Sequence, residues 1–277
     1  HVAQAILLSL KDREQLPYLA LFQAFEQSLS QKHVMVTSVS PDLKVLFSKT
    51  GFTPSVMKSK AEREATIADF IGVFDANLGV NKANYYIKRS IAQNIQLSKN
   101  GERSGNVQIT YRNTSKKDSP FGGDYKNYLQ TVLPEEAEVT GVVINGVAQT
   151  VVPAIINARV YSADRFVPPV GLEVNEETRF GRHIFGFYFI VPISQEVKVT
   201  LTYKIGNTLP LPGDFTYLLR VYKQPGTDYD PYQLQLTYDP SFRLIEQPPF
   251  ASRGNHSLRV TNDLTEDILI PLTFRKD

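Results

Sequence analysis

The chain has 277 residues, a formal net charge of +2 and no cysteine. That length is enough for one large domain or two to three small ones. The charge is too small and too scattered to point to nucleic acid, and the missing thiol excludes disulfides, thiolate catalysis and cysteine-ligated metal. No stretch approaches the roughly eighteen consecutive apolar residues of a spanning helix, so no membrane span is expected here. The chain opens at His1 and runs straight into an apolar helical pattern, which reads as a fragment whose targeting or anchoring segment lies upstream.

In chain order, residues 2–29 carry apolar residues at helical spacing, Ile6, Leu7 and Leu10, then Leu19, Phe22, Phe25 and Leu29. Pro17 places a break between two helices near Lys11 to Leu16. The stripe is expected to face a core. His33 to Thr37 is a short strand candidate. Ser40-Pro41-Asp42 then supplies an N-cap, a proline at the first helical position and an acid in the first turn, and Gly51 supplies a stop. Residues 54–64 read as an exposed connection.

From Ile67 the period changes from helical to two. Ile67 to Ala76 is an apolar strand, and Asn77 to Asn84 a polar loop. Next, Tyr85, Ile87, Ile91, Ile95 and Leu97 alternate with polar residues up to Asn100-Gly101, and Val107, Ile109 and Tyr111 alternate beyond it. This predicts a long antiparallel hairpin with one buried and one wet face. Tyr125 to Leu133 is a strand stopped by Pro134, and Asn145-Gly146 joins two strands as a tight hairpin. Asn157 to Tyr161 reads as a further short strand, and Ile184 to Val191 and Val197 to Ile205 are expected to pair across Pro192 to Glu196.

The proline-rich break at 207–214 is the best boundary in the β region, and short strands follow to Phe274. The fold class is therefore α+β: a short N-terminal helical section, residues 1–66, followed by mostly antiparallel, Ig-like β-sandwich over 67–206. Residues 207–277 form a small β unit, either separate or completing the sandwich.

Several strings resemble the C-terminal half of an uncharacterised bacterial cell-surface family, catalogued as domain of unknown function 4012. They are Asp75-Ala-Asn77-Leu-Gly79-Val-Asn81-Lys82-Ala-Asn84-Tyr85-Tyr86, Tyr125 to Pro134, Gly181-Arg182 ahead of the Phe185 strand, and Lys223-Gln224-Pro225-Gly226-Thr227. The resemblance covers the chain from about residue 20 to its end. It implies an exported protein held at the cell surface through an N-terminal membrane anchor. It also implies an upstream domain of the same protein, distantly similar to LytR-CpsA-Psr polymer-attaching enzymes, as a partner. It carries no catalytic residue onto this half.

The residues themselves assign no catalytic group. The histidines, His1, His33, His183 and His256, lack metal-ligand spacing, and no Gly-x-Ser-x-Gly occurs. Glu135-Glu136 is an adjacent pair in an extended segment, which points its acids to opposite sides. Asp228 and Asp230, with Gln224 nearby, form an oxygen-rich loop that is a candidate calcium site; no other cofactor is indicated. Asn77, Asn81, Lys82 and Asn84 are candidate binding residues, although asparagine and glycine in such a loop serve first to hold a turn. The expectation is a non-catalytic extracellular module that binds or presents a partner protein or an envelope glycan. The alternatives are a substrate-guiding part of a polymer-processing enzyme and a subunit of a surface assembly.

Overall fold

The computed structural model describes residues 18–50, 52–53, 65–161, 166–206 and 213–276. The expected helix before Pro17, the exposed connection at 54–64 and most of the proline-rich break lie outside them. The chain divides into two compact units, residues 1–55 and 56–277.

The first unit holds helices α1 (Tyr18–Ser30) and α2 (Pro41–Thr50). α1 ends where Lys32 takes a left-handed φ of 57°, and His33 N–H donates back to the Ser28 carbonyl at 2.9 Å. That closure satisfies carbonyls which the last helical turn leaves open. α2 starts at Pro41 with Asp42 in its first turn, as the punctuation requires. Two expectations fail here. Residues 33–37 form no strand. Among the described residues of the predicted apolar stripe, only Leu29 is buried, while Leu19, Phe22 and Phe25 are exposed.

The second unit is mostly strand. Along the chain its strands are β1 (Thr66–Asn77), β2 (Ile87–Leu97), β3 (Arg103–Asn113), β4 (Tyr125–Pro134), β5 (Ala137–Ile144), β6 (Val147–Ala148), β7 (Val151–Pro153) and β8 (Leu172–Thr178). They continue as β9 (Arg182–Val191), β10 (Glu196–Ile205), β11 (Asp214–Tyr222), β12 (Tyr232–Tyr238), β13 (Phe242–Glu246), β14 (Ala251–Gly254), β15 (Ser257–Asn262) and β16 (Ile268–Lys276). They build two eight-stranded sheets, ordered β13-β16-β11-β1-β4-β9-β8-β7 and β14-β15-β12-β2-β3-β10-β5-β6. We call them sheet I and sheet II.

The sheets are mixed rather than uniformly antiparallel. β1 pairs with β11, β2 with β12 and β7 with β8 in parallel. The first two pairings form a seam. On one side lie strands from residues 66–205, on the other strands from 214–276, and both sheets run through it. The observed parallel order departs from an all-antiparallel Ig-like arrangement.

One core cluster unites the inward faces of both sheets, among them Ile71, Ile95, Ile109, Leu129, Phe187, Leu201, Leu219 and Leu236. The predicted hairpin is β2–β3, in register from Ile87 opposite Asn113 to Leu97 opposite Arg103. Asn145 and Gly146, at φ of 51° and 80°, make the tight β5–β6 turn that an Asn-Gly pair favours. By contrast, β9 and β10 do not pair with each other. β9 lies between β4 and β8 in sheet I, β10 between β3 and β5 in sheet II, so the short link between them passes from one sheet to the other. Ala158–Tyr161 is a helical turn, α3, and not a strand. Tyr85 lies in a 3-10 turn, Ala83–Tyr86, ahead of β2 and is exposed.

Candidate functional site

Alternation on β1 turns Ile67, Asp69, Ile71, Val73 and Asp75 towards sheet II, and alternation on β2 turns Arg89, Ile91, Gln93, Ile95 and Leu97 towards sheet I. Four of these ten are polar, and they seed two buried networks. In the first, Arg89 reaches across from sheet II. Its Nε and Nη2 donate to Asp230 Oδ1 and Oδ2 at 3.1 and 2.5 Å, a bidentate pair. Its Nη1 donates to Asp75 Oδ2 at 2.5 Å, to Gln224 Oε1 at 2.7 Å and to the Val73 carbonyl at 3.2 Å. Asp75 Oδ1 accepts from Tyr111 Oη at 2.7 Å and from Asn127 Nδ2 at 2.6 Å.

This cluster also extends the seam. Beyond the last β1–β11 pair, the Gln224 amide takes the place of a strand. It donates to the Asp75 carbonyl at 3.1 Å and accepts from the Asp75 N–H at 3.0 Å. Lys223, fully buried, donates through Nζ to the Gln224 carbonyl at 3.1 Å and to the Thr227 carbonyl, while Thr227 Oγ1 donates to Asp230 Oδ2 at 3.3 Å. The Lys223-Gln224-Pro225-Gly226-Thr227 string and Asp75 thus meet in one network.

Burial opposes the charge on Arg89, but Asp75 and Asp230 outweigh it and hold its pKa above the usual value. Burial, followed by the Asp75 charge, likewise pushes the Tyr111 phenol up, so it stays a proton donor. Every oxygen of both carboxylates is engaged. The arrangement is a set of struts across the sandwich, with no group left as a free base or nucleophile.

The second network lies at the other end of β1. Asp69 Oδ2 accepts from Tyr217 Oη at 2.8 Å and faces Arg103 Nε at 3.6 Å, and Asp69 Oδ1 accepts from the Phe70 N–H at 2.8 Å. Arg103 Nη1 also donates to the carbonyls of Gly101 and Gly206, both at 3.1 Å. Beside them, Gln93 Nε2 donates to Tyr203 Oη at 2.7 Å and Gln93 Oε1 accepts from Tyr232 Oη at 2.6 Å. Burial raises the Asp69 pKa, against the lowering effects of Arg103 and Tyr217.

The calcium reading falls on Asp228 and Asp230. Asp230 is buried with both oxygens held by Arg89, so a cation would have to displace a guanidinium; Asp228 is exposed and stands outside the network. Among the described residues no three histidine, aspartate or glutamate side chains converge as metal ligands. Glu135 and Glu136 form an exposed turn between β4 and β5, and His183 is buried with Nε2 3.1 Å from Glu176.

The asparagine loop is held from within. Asn77 Oδ1 accepts from Gly79 N–H at 2.9 Å, and Asn77 Nδ2 donates to the Asn81 carbonyl at 3.0 Å and towards Asn84 Oδ1 at 3.5 Å. Asn81 Nδ2 donates to the Asp124 carbonyl at 3.0 Å. Lys82 N–H donates to the Phe121 carbonyl at 2.7 Å, which ties this loop to the β3–β4 loop, and the Lys82 side chain is exposed. Of the four candidate binding residues, Asn77 and Asn81 therefore spend their amides on turns, and Lys82 and Asn84 remain at the surface.

The outer face of sheet II has a different character. Registers across β12, β2, β3 and β10 align Gln233, Ala92, Gln108 and Thr200 in one row and Gln235, Asn94, Asn106 and Thr202 in the next. Asn94 Nδ2 donates to Asn106 Oδ1 at 3.0 Å within that row. Amides and hydroxyls, with Ala92, fill the middle of this face, and at its side Arg259 Nε donates to Gln235 Oε1 at 3.2 Å.

No protein-family model matches the sequence, and no curated protein matches it. Solved structures with a similar chain path include a Legionella pneumophila protein proposed to bind nutrients, at a TM-score of 0.46 and 11% identity over 73% of this chain and 70% of that one. Yeast LTA4 hydrolase in complex with bestatin follows at 0.35 and 8%, over 71% of this chain and 30% of that one. An M1 zinc metallopeptidase from Deinococcus radiodurans gives 0.33 and 10%, over 68% and 42%. This chain thus spans less than half the length of the two enzymes, and likenesses at these scores transfer no function.

The sequence reading passed over Arg89, Asp69 and Gln93. A signal for them exists: each occupies an inward position of an otherwise apolar alternation, between Ile87 and Ile91, Ile67 and Ile71, and Ile91 and Ile95. A charge in that register is expensive unless a partner waits for it.

Proposed function

We propose that this chain is a non-catalytic extracellular module of a bacterial cell-surface protein, and that it binds envelope glycan on the outer face of sheet II. The observation that carries the reading is the uncharged array of Gln233, Gln108, Gln235, Asn94, Asn106 and Thr202, aligned across four strands. Amides and hydroxyls offer donors and acceptors side by side, which is the chemistry that pairs with sugar hydroxyls. The buried acids and arginines support the non-catalytic half of the reading, since each acid of the Arg89 network is consumed by a fixed partner. The two sheets supply a rigid scaffold of the kind that carries surface contacts.

Titration of the 277-residue chain with purified bacterial cell-wall polysaccharide tests this. Saturable binding that falls about tenfold or more in N94A/Q108A, with unchanged circular dichroism, is the expected result, equivalent to about one or two lost hydrogen bonds. Equal binding by parent and variant, or none by either, would overturn it.

A further inference from the structure

At one end of the sandwich the β1–β2 loop and the β3–β4 loop carry four large apolar side chains in the open: Leu78, Val80, Tyr85 and Phe121. Val80 is 111% exposed, more than in the extended reference peptide, and Phe121 is 78% exposed. Phe121 also holds a left-handed φ of 56°, a conformation that costs a bulky residue energy. The loops are joined: Lys82 N–H donates to the Phe121 carbonyl at 2.7 Å and Tyr86 Oη to the Pro120 carbonyl at 3.0 Å. These apolar groups are therefore displayed on a braced frame.

The surrounding charge is one-sided. Residues 78–88 and 114–126 contain five lysines against two aspartates. Lys82, Lys116 and Lys117 are all exposed. We infer that this loop end seats on a bilayer bearing anionic headgroups, with Val80 and Phe121 entering the acyl boundary, Tyr85 at headgroup level and the lysines on the phosphates. The charge pattern favours a bilayer over a protein partner: apolar tips ringed by lysine match the layering of an anionic interface, apolar within and negative above.

The test is co-sedimentation of the 277-residue chain with phosphatidylcholine vesicles, with and without phosphatidylglycerol. The expected result is binding to the anionic vesicles that weakens with added salt and is much poorer on neutral ones. V80D/F121D should lose about tenfold or more of it, and K116Q/K117Q about fivefold per lysine on anionic vesicles. Both variants alter exposed side chains; if the first fails to fold, the lysine pair and the salt series still decide. Equal binding to both vesicle types, binding unmoved by the variants, or no binding to either vesicle would overturn the proposal. So would a loop-dependent association of the chain with a second copy in place of vesicle binding. None of these results bears on N94A/Q108A and the glycan face.

Discussion

Arg89 is the residue on which the two sheets converge, because one guanidinium engages Asp75 of sheet I and Asp230 of the β11–β12 loop together. Such a group is worth little as net attraction, since desolvation offsets most of the Coulomb gain, but it is costly to break. Replacing Arg89 by Met would leave two carboxylates buried without their cation, and the expected loss is about 3–5 kcal/mol in urea unfolding. The triple replacement D75N/R89M/D230N removes the stranded charges as well and should lose less than the single one; a loss as large or larger would show that the pairing itself supplies the stability. The acids and the arginine were legible as residues, and Asp230 was even singled out, but for a loop cation. Its real partner lies 141 positions away in sequence, and no local spacing reports that.

Among the elements, strands were readable and their partners were not. Period-two alternation and turn residues located β1, β2, β3, β4, β9 and β10 to within a few residues. The same alternation is produced whether a strand pairs with its neighbour in sequence or crosses to the other sheet, which is why β9 and β10 were expected to form a hairpin and do not. The β2–β3 hairpin, correctly placed, contains its own constraint at Gly105. A Cβ there would lie 2.2 Å from the Asn94 carbonyl oxygen, a backbone atom that cannot swing aside. Gly105→Ala should therefore destabilise by about 1–3 kcal/mol, as overpacking does, read as a lower urea midpoint with an unchanged slope. A neutral result would mean that the two strands separate locally at no cost.

For the whole molecule, the seam is the decisive feature. β11 covers the edge of β1 and β12 covers the edge of β2, so the strands after residue 213 close two central strands of the core. A chain ended at residue 206 would expose both edges together with the inward-facing Asp75 and Arg89, the latter without Asp230. Such edges template pairing with other copies. Residues 1–206 are expected to elute as aggregate in size-exclusion chromatography and to lack a cooperative thermal transition. A monomeric, cooperatively unfolding product would show that the first ten strands are sufficient alone.

The sequence by itself determined the start of α2, the change of period near residue 67, the β2–β3 hairpin, the tight Asn145-Gly146 turn and the inward or outward facing of most residues on those strands, but not the strands expected at 33–37 and 157–161. These follow from local sterics and from burial, which act over a few residues. Only the tertiary structure decided that both sheets run through residues on either side of the proline-rich break, that Asp230 meets Arg89, and that Val80 and Phe121 stand exposed on two loops tied to each other. Those are meetings of residues far apart in the chain. They are selected by the free energy of the whole core and by the cost of leaving a buried charge alone, and neither is written in any one stretch.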